Sequence, residues 1–192
     1  LDRSGDVVCW GVGDETKPPP RVFSGATAIA SGNSAFCALK GAGELWCWGD
    51  VARSGSAKTP VRAAGLDDVA EVRLDDGIGI GSGVLRRKDG SVSWFYWAMS
   101  SLDKGVLDLH LKPLEGAAGA VAIAGSAEDG RAVLDDGGVR CWGGNDAGQL
   151  GIGEAGKLSR RAVAVRGVDD AIAVSTSPSF NCALRRGGRV SC

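Results

Sequence analysis

Apolar residues along this chain fall in short runs cut by glycine, and no stretch carries the spacing of a long amphipathic helix. Each run reads as a strand and each break as a turn, which predicts an all-β protein. The fullest unit is residues 139–153. Val139-Arg140-Cys141-Trp142 is strand-like and ends in an aromatic. Gly143, Gly144, Gly148, Gly151 and Gly153 follow, with Asn145, Asp146 and Gln149 between them. Glycine at that density permits positive φ and close backbone approach, so a compact loop is expected, with Leu150 as an apolar plug beneath it.

The pattern recurs. Leu1 to Trp10 reads L-DRSGDVV-CW, Leu39 to Trp48 reads L-KGAGELW-CW, and Leu134 to Trp142 reads L-DDGGVR-CW. Leu184 to Cys192 reads L-RRGGRVS-C, and Leu85 to Trp94 is a degraded copy, L-RRKDGSV-SW. Taking the Cys or its substitute at 9, 47, 93, 141 and 192, the steps are 38, 46, 48 and 51 residues. Strand-only repeats of that length predict the blades of a β-propeller. Between these elements the segments GLDDVAEV (65–72) and GVDDAIAV (167–174) also repeat, and Ala28-Ile29-Ala30 and Ala122-Ile123-Ala124 take the same place elsewhere. The units read as 1–39, 40–85, 86–134 and 135–184, with 185–192 opening another. A lone small sheet cannot bury both faces, whereas stacking on neighbouring copies can.

Composition narrows the classes. The chain has 192 residues, 31 glycines, and 22 basic against 23 acidic residues. Charge this balanced, without a basic stripe, argues against a nucleic-acid surface. No apolar run approaches the ~20 residues of a membrane span. The chain starts at Leu1 and stops at Cys192 in mid-pattern, and so reads as an excerpt of a longer protein, about four blades of a six- or seven-bladed ring. Such an excerpt is expected to be an open arc with exposed apolar faces.

The pattern C-A-L, a Gly/Asp turn, then V-x-C-W-G-x-N-x-x-G-Q-L-G-x-G resembles the regulator of chromosome condensation repeat in its bacterial, cysteine-containing form. The match is specific at 139–153, good at 36–49 and 180–192, and held by register alone at 1–11 and 78–98. The resemblance implies a β-propeller. Family members include guanine-nucleotide exchange factors for a small nuclear GTPase and a secreted inhibitor that caps a β-lactamase. Two departures stand out: Ala35 and Phe180 occupy the place of the family's usual His, and only the 139–153 unit keeps the full loop.

The cysteines carry a physical inference. Cys37 and Cys47 flank a hairpin centred on Ala42, and Cys182 and Cys192 flank one centred on Gly187. Opposed residues of an antiparallel pair lie within disulfide reach, so bridges 37–47 and 182–192 are expected, against the alternative of six small buried hydrophobes. The equivalent pair in the degraded copy is read as Gly83 and Ser93, while Cys141 faces roughly Ala132. Disulfides imply an exported, extracytoplasmic protein.

Trp10, Trp48 and Trp142 recur once per unit, as inter-blade packing does. Trp46, Trp94, Tyr96 and Trp97 are the candidates for a partner-binding patch, with Trp46 and Trp97 off the register and read as exposed; the alternative, and the better supported one, is that the run Trp94-Phe95-Tyr96-Trp97 is core in a diverged repeat. Residues 151–157, GIGEAGK, nearly spell a phosphate loop, yet Leu158 stands where the hydroxyl residue belongs and no βαβ unit surrounds them. The Asp pairs at 67–68, 75–76, 135–136 and 169–170 suit turns. His110 is the only histidine and reads as a solvent-facing strand residue, so no catalytic constellation, metal site or cofactor is expected. The function expected is a non-catalytic scaffold that presents variable loops to a protein partner. Nucleotide exchange on a small GTPase is implied by the resemblance alone, and carbohydrate or surface-polymer binding through Trp46, or Trp94 and Trp97, is a further alternative.

Overall fold

The computed structural model describes residues 1–9, 21–32, 35–49, 57–75, 82–97, 107, 109–177 and 180–192. Every regular element among them is a strand. β1 (Val7–Val8) and β2 (Arg21–Phe23) form a pair. β3 (Ala26–Ser31), β4 (Ala35–Lys40), β5 (Glu44–Gly49) and β6 (Ala57–Arg62) form a four-stranded antiparallel sheet. A second comprises β7 (Val69–Leu74), β8 (Ser82–Arg87), β9 (Val92–Trp97) and β10 (Leu109–Pro113). A third comprises β11 (Ala120–Gly125), β12 (Gly130–Leu134), β13 (Val139–Asn145) and β14 (Gly156–Ala164). β15 (Ala171–Thr176), β16 (Asn181–Arg185) and β17 (Val190–Ser191) form the last sheet.

The first strands of successive sheets lie side by side, β3 against β7, β7 against β11 and β11 against β15. This is the arrangement of propeller blades around an axis. Strands buried on both faces follow from it: β12 is buried at every position and β13 at five of its seven. The sequence units start inside a hairpin, so residues 40–85 supply β5 and β6 to one sheet and β7 and most of β8 to the next. Each unit therefore ties two blades together covalently.

A hydrogen bond from hairpin to neighbouring blade repeats four times. The N–H that opens the next sheet's first strand donates to a glycine carbonyl in the preceding hairpin turn. The pairs are Ala26 to Gly5 (2.9 Å), Val69 to Gly43 (3.1 Å), Ala120 to Gly90 (3.0 Å) and Ala171 to Gly137 (2.9 Å). Gly137 sits at φ +84°, and a Cβ there would lie 2.5 Å from the Asp169 carbonyl oxygen. Glycine is thus required twice over, by its backbone angle and by the neighbour's approach. Gly188 holds the same hairpin place at φ +84° with open space around it.

Counting from this turn glycine corrects the sequence register in the degraded copy. The residue four beyond it is Cys9, Cys47, Trp94, Cys141 and Cys192; the residue five beyond is Trp48, Phe95 and Trp142 where described. Trp94 therefore stands in the cysteine position, with Val84 opposite it, and Phe95 takes the tryptophan position. The pair Gly83 and Ser93 is not opposed: Gly83 faces Phe95 and Leu85 faces Ser93. Strand alternation sends these two positions to opposite seams. Trp142 packs with Val84 and Val92 of the sheet before it, whereas Cys141 packs with Ala171 and Ala183 of the sheet after it.

Candidate functional site

The opposed pair of positions on the second and third strands of each sheet carries three chemical solutions. Cys37 and Cys47 are directly opposed and disulfide-bonded, with Cα atoms 4.1 Å apart. Cys182 and Cys192 are bonded likewise, also with a Cα separation of 4.1 Å. Cys141 faces Arg131, not Ala132, and is a free, buried thiol; Cys9 is also free. Burial pushes the Cys141 thiol up to about 11, although the Arg131 guanidinium opposes this. Arg131 is itself only 1 % exposed. Its Nη1 donates to the carbonyls of Gly130 and Trp142 and its Nη2 to that of Gln149. An arginine in a core slot was missed in the sequence, where only its place opposite a cysteine could have marked it.

The glycine-rich loop is a self-braced plug. Asn145 is buried, accepts from the Leu150 N–H at 3.1 Å and donates through Nδ2 to the Glu154 carbonyl at 3.0 Å. Gln149 accepts from the Ala147 N–H at 2.9 Å, and Leu150 is fully buried. Gly143, Gly148, Gly151 and Gly153 all have positive φ. Gly156 opens β14, so Lys157 lies on a strand and not at a helix N-terminus, and the loop cannot cradle phosphate as the near-match to that motif would require. Trp142 is fully buried and its Nε1 donates to the carbonyls of Ser126 and Ala127. Trp48 is buried and stacks with Phe23 and Phe36. Trp10 lies outside the described residues.

The aromatic candidates separate. Trp97 is only 2 % exposed and stacks on Phe95, so its expected exposure is overturned by its place in the core between two sheets. Trp46 is half-buried, packs on Phe23 and donates through Nε1 to Glu44, which removes it from the surface patch too. Trp94 and Tyr96 remain, side by side on one face of β9. Tyr96 is 51 % exposed and stacks on His110 with ring centroids 4.8 Å apart. Lys112 sits over the Trp94 ring at 5.7 Å. These four residues are cross-strand neighbours, Tyr96 with His110 and Trp94 with Lys112.

Beside them, between the second and third four-stranded sheets, lies a cavity of about 510 Å³. Its walls are Trp94, residues 127–129, Gly143, Gly144 and residues 158–160. Asp129 accepts from the Gly144 N–H at 2.7 Å, which holds one wall to the other. Among the described residues, no group of three or more His, Cys, Asp or Glu is placed to hold a metal ion. No helix is long and apolar enough to cross a membrane.

Two rims of the arc differ. On the hairpin-glycine rim the links that follow the three four-stranded sheets are 63–68, 114–119 and 165–170, six residues each, and the link from β2 to β3 is two. The third strands end and the fourth strands begin at the opposite rim, and the links joining them, 50–56, 98–108 and 146–155, are seven, eleven and ten residues long; Leu107 of the second link is buried and pairs with Ala63. Tyr96, His110 and the cavity all belong to this variable rim.

Residues 26–50 match the Regulator of chromosome condensation (RCC1) repeat family. No curated protein matches the chain. Among solved structures the chain is similar to Prp20p from Saccharomyces cerevisiae, described together with its binding to Gsp1p and histones. The identity is 16 %, 86 % of this chain and 45 % of that one are covered, and the TM-score is 0.64. It is similar also to human WBSCR16 at 18 % identity, covering 96 % of this chain and 52 % of that one, TM-score 0.66. The computationally designed Ika4 protein matches at 18 % identity over 86 % of this chain and 88 % of that one, TM-score 0.52. This chain thus spans about half the length of the two natural proteins. It carries an RCC1 repeat at 26–50, and its blades have the RCC1-type propeller fold.

Proposed function

We propose that this chain is a non-catalytic scaffold whose variable rim engages a protein partner. The carrying observation is that the links joining third and fourth strands differ from blade to blade, at seven, eleven and ten residues, while the link that follows each four-stranded sheet is six. A rigid frame with loops differing from blade to blade suits recognition. Tyr96 and His110 supply an exposed aromatic pair on that rim, and tyrosine favours interfaces because a large area is buried with little loss of side-chain freedom. The two disulfides support an extracytoplasmic setting. The test is photo-crosslinking in the source cells, with a benzophenone amino acid at Tyr96 on one rim and at Asp136 on the other. A discrete protein adduct from position 96, absent from position 136, is expected. Equal adducts from both rims, or none from position 96, would refute the reading.

A second reading is exchange activity on a small GTPase, supported by likeness in fold to Prp20p, whose description names Gsp1p. Accelerated release of labelled GDP from such a GTPase would favour it, as would reduced Cys37 and Cys182 in the protein taken from cells.

A further inference from the structure

The pair β1–β2 is the outer half of a sheet. In each four-stranded sheet the third strand lies between the second and the fourth, whereas β1 pairs with β2 alone and its other edge is open among the described residues. Along that edge runs a groove of about 310 Å³. Val7, Val8 and Cys9 line one side of it, and Ile29, Phe36 and Trp48 of the next sheet line the other. Ser31 apart, every lining residue is hydrophobic.

The hairpin ahead of β1 shows what is directed into this groove. The Gly5 N–H donates to the Asp2 carbonyl at 3.2 Å, and the Asp2 N–H donates to the Asp6 carbonyl at 3.0 Å. The same two bonds close the hairpins at Arg87, Gly90 and Ser91, at Leu134, Gly137 and Gly138, and at Arg185, Gly188 and Arg189. In those three the first residue named is the last of a second strand, β8, β12 or β16. Asp2 therefore holds the final place of a second strand, and the backbone leading into it runs along the open edge of β1. An open edge beside an apolar surface is a template for one more strand.

The other seams show what such a strand covers. By pairing register Ile29 corresponds to Val72 and Ile123. Those two are 4 % and 2 % exposed, whereas Ile29 is 46 % exposed. Val72 packs in one cluster with Cys37 and Ile123 in one with Val84, each a second-strand residue of the preceding sheet. Cys37 stands opposite Cys47, and Val84 opposite Trp94. The residue with that place opposite Cys9 is the one two before Leu1.

Cys9 restricts the identity of that residue. Within residues 1–192 its thiol is free. Of the other third-strand cysteines at this position, Cys47 and Cys192 are disulfide-bonded and Cys141 faces Arg131. Arg131 uses the Gln149 carbonyl, which belongs to a loop that the sequence keeps in full only at 139–153. An arginine opposite Cys9 would lack that acceptor, so the cysteine pairing is the one that fits.

We propose that the segment leading into Leu1 is the second strand of this sheet, seated in the groove over Ile29 and carrying, two residues before Leu1, a cysteine bonded to Cys9. Each thiol gives up one hydrogen as the sulfurs join, and a disulfide-bearing oxidant takes the two electrons and two protons to become a dithiol.

The test takes the protein from its source cells, alkylates it, digests it with trypsin without reduction and reads the products by mass spectrometry. Cys9 falls in the peptide Ser4–Arg21, because proline follows Lys17. The expected species is that peptide bonded to one ending in Leu1-Asp2-Arg3, with the two separated by dithiothreitol. A link from Cys9 to Cys182 would put β16 of a second copy in the groove, and a link to an unrelated peptide would put another protein there. Either result overturns the proposal. Alkylated Cys9, or a peptide ending in Leu1-Asp2-Arg3 without a cysteine two places before Leu1, overturns it as well.

Discussion

Replacing Gly137 by alanine tests the joint between blades, and Gly188→Ala supplies the matched control. Both glycines sit at φ +84° in equivalent hairpin turns. An L-residue in that region is strained by roughly 1–2 kcal/mol, and the gain from a stiffer unfolded chain is common to both variants. The two sites differ only in what the added methyl meets. At Gly137 it would lie 2.5 Å from the Asp169 carbonyl oxygen and 3.0 Å from the Asp170 Cα; at Gly188 it meets nothing within 4 Å. Backbone faces the methyl at Gly137, so no rotamer change can relieve the overlap. The hairpin must withdraw and give up the Ala171 N–H to Gly137 carbonyl bond, a net loss of about 1 kcal/mol before any loosened packing of Ala171 and Val139 is added. The expected excess for Gly137→Ala is therefore roughly 1.5–3 kcal/mol. At ~2–4 °C per kcal/mol for a chain of this size, its melting temperature should fall on the order of 5 °C further than that of the control. Thermal melts give the difference, and hydrogen exchange locates it, since Ala171 should lose protection in Gly137→Ala only. Equal destabilisation by the two substitutions, or an Ala171 amide unchanged in Gly137→Ala, would refute the joint as described.

Three further outcomes follow from the paired positions. In a variant with Cys182→Ser and Cys192→Ser, reducing the Cys37–Cys47 bridge, with a separation of 10 residues, should cost roughly 2.7 kcal/mol by loop-closure entropy, read as a lower urea midpoint in dithiothreitol. Arg131→Cys should form a third cross-strand disulfide with Cys141, its opposed neighbour. Thiol titration of the denatured variant should then find Cys9 alone free, where three free thiols would show that the bridge had failed. Lastly, the buried Cys141 has its pKa raised from 9.0 to about 11 in the folded chain. Between those values the unfolded chain has lost a proton that the folded chain still holds. The contribution of Cys141 is therefore full below about pH 9 and is lost as pH rises towards 11. Urea midpoints of wild type and Cys141→Ala should converge over that window, and parallel curves would contradict the assignment.

Reading the candidate site from sequence worked where the determining interactions are local. The two disulfides are closed by residues ten apart across a single turn, so strand pairing around Ala42 and Gly187 was enough to place them. The same arithmetic slipped by one in the other two sheets because it was anchored on Leu85 and Leu134. Each hairpin instead closes by a fixed pattern from its turn glycine, with the Gly90 N–H bonded to the Arg87 carbonyl and the Gly137 N–H to the Leu134 carbonyl. Anchoring there puts Trp94 and Arg131 in the cysteine column. The loop around Asn145 and Leu150 was legible for the same local reason.

Strand character, the hairpins, the bridges and the repeat are thus properties of the chain as written, each settled by neighbours within one turn. Which tryptophan is buried, whether Tyr96 meets solvent, and why Trp94 has an unpaired N–H beside a cavity are matters for the tertiary structure. They depend on what a neighbouring sheet lays against each face; for Trp94 that is the stretch from Ala127 to Asp129, 33 to 35 residues further along. Alternation along a strand says that two faces exist, and only the stacking of blades says what each one touches.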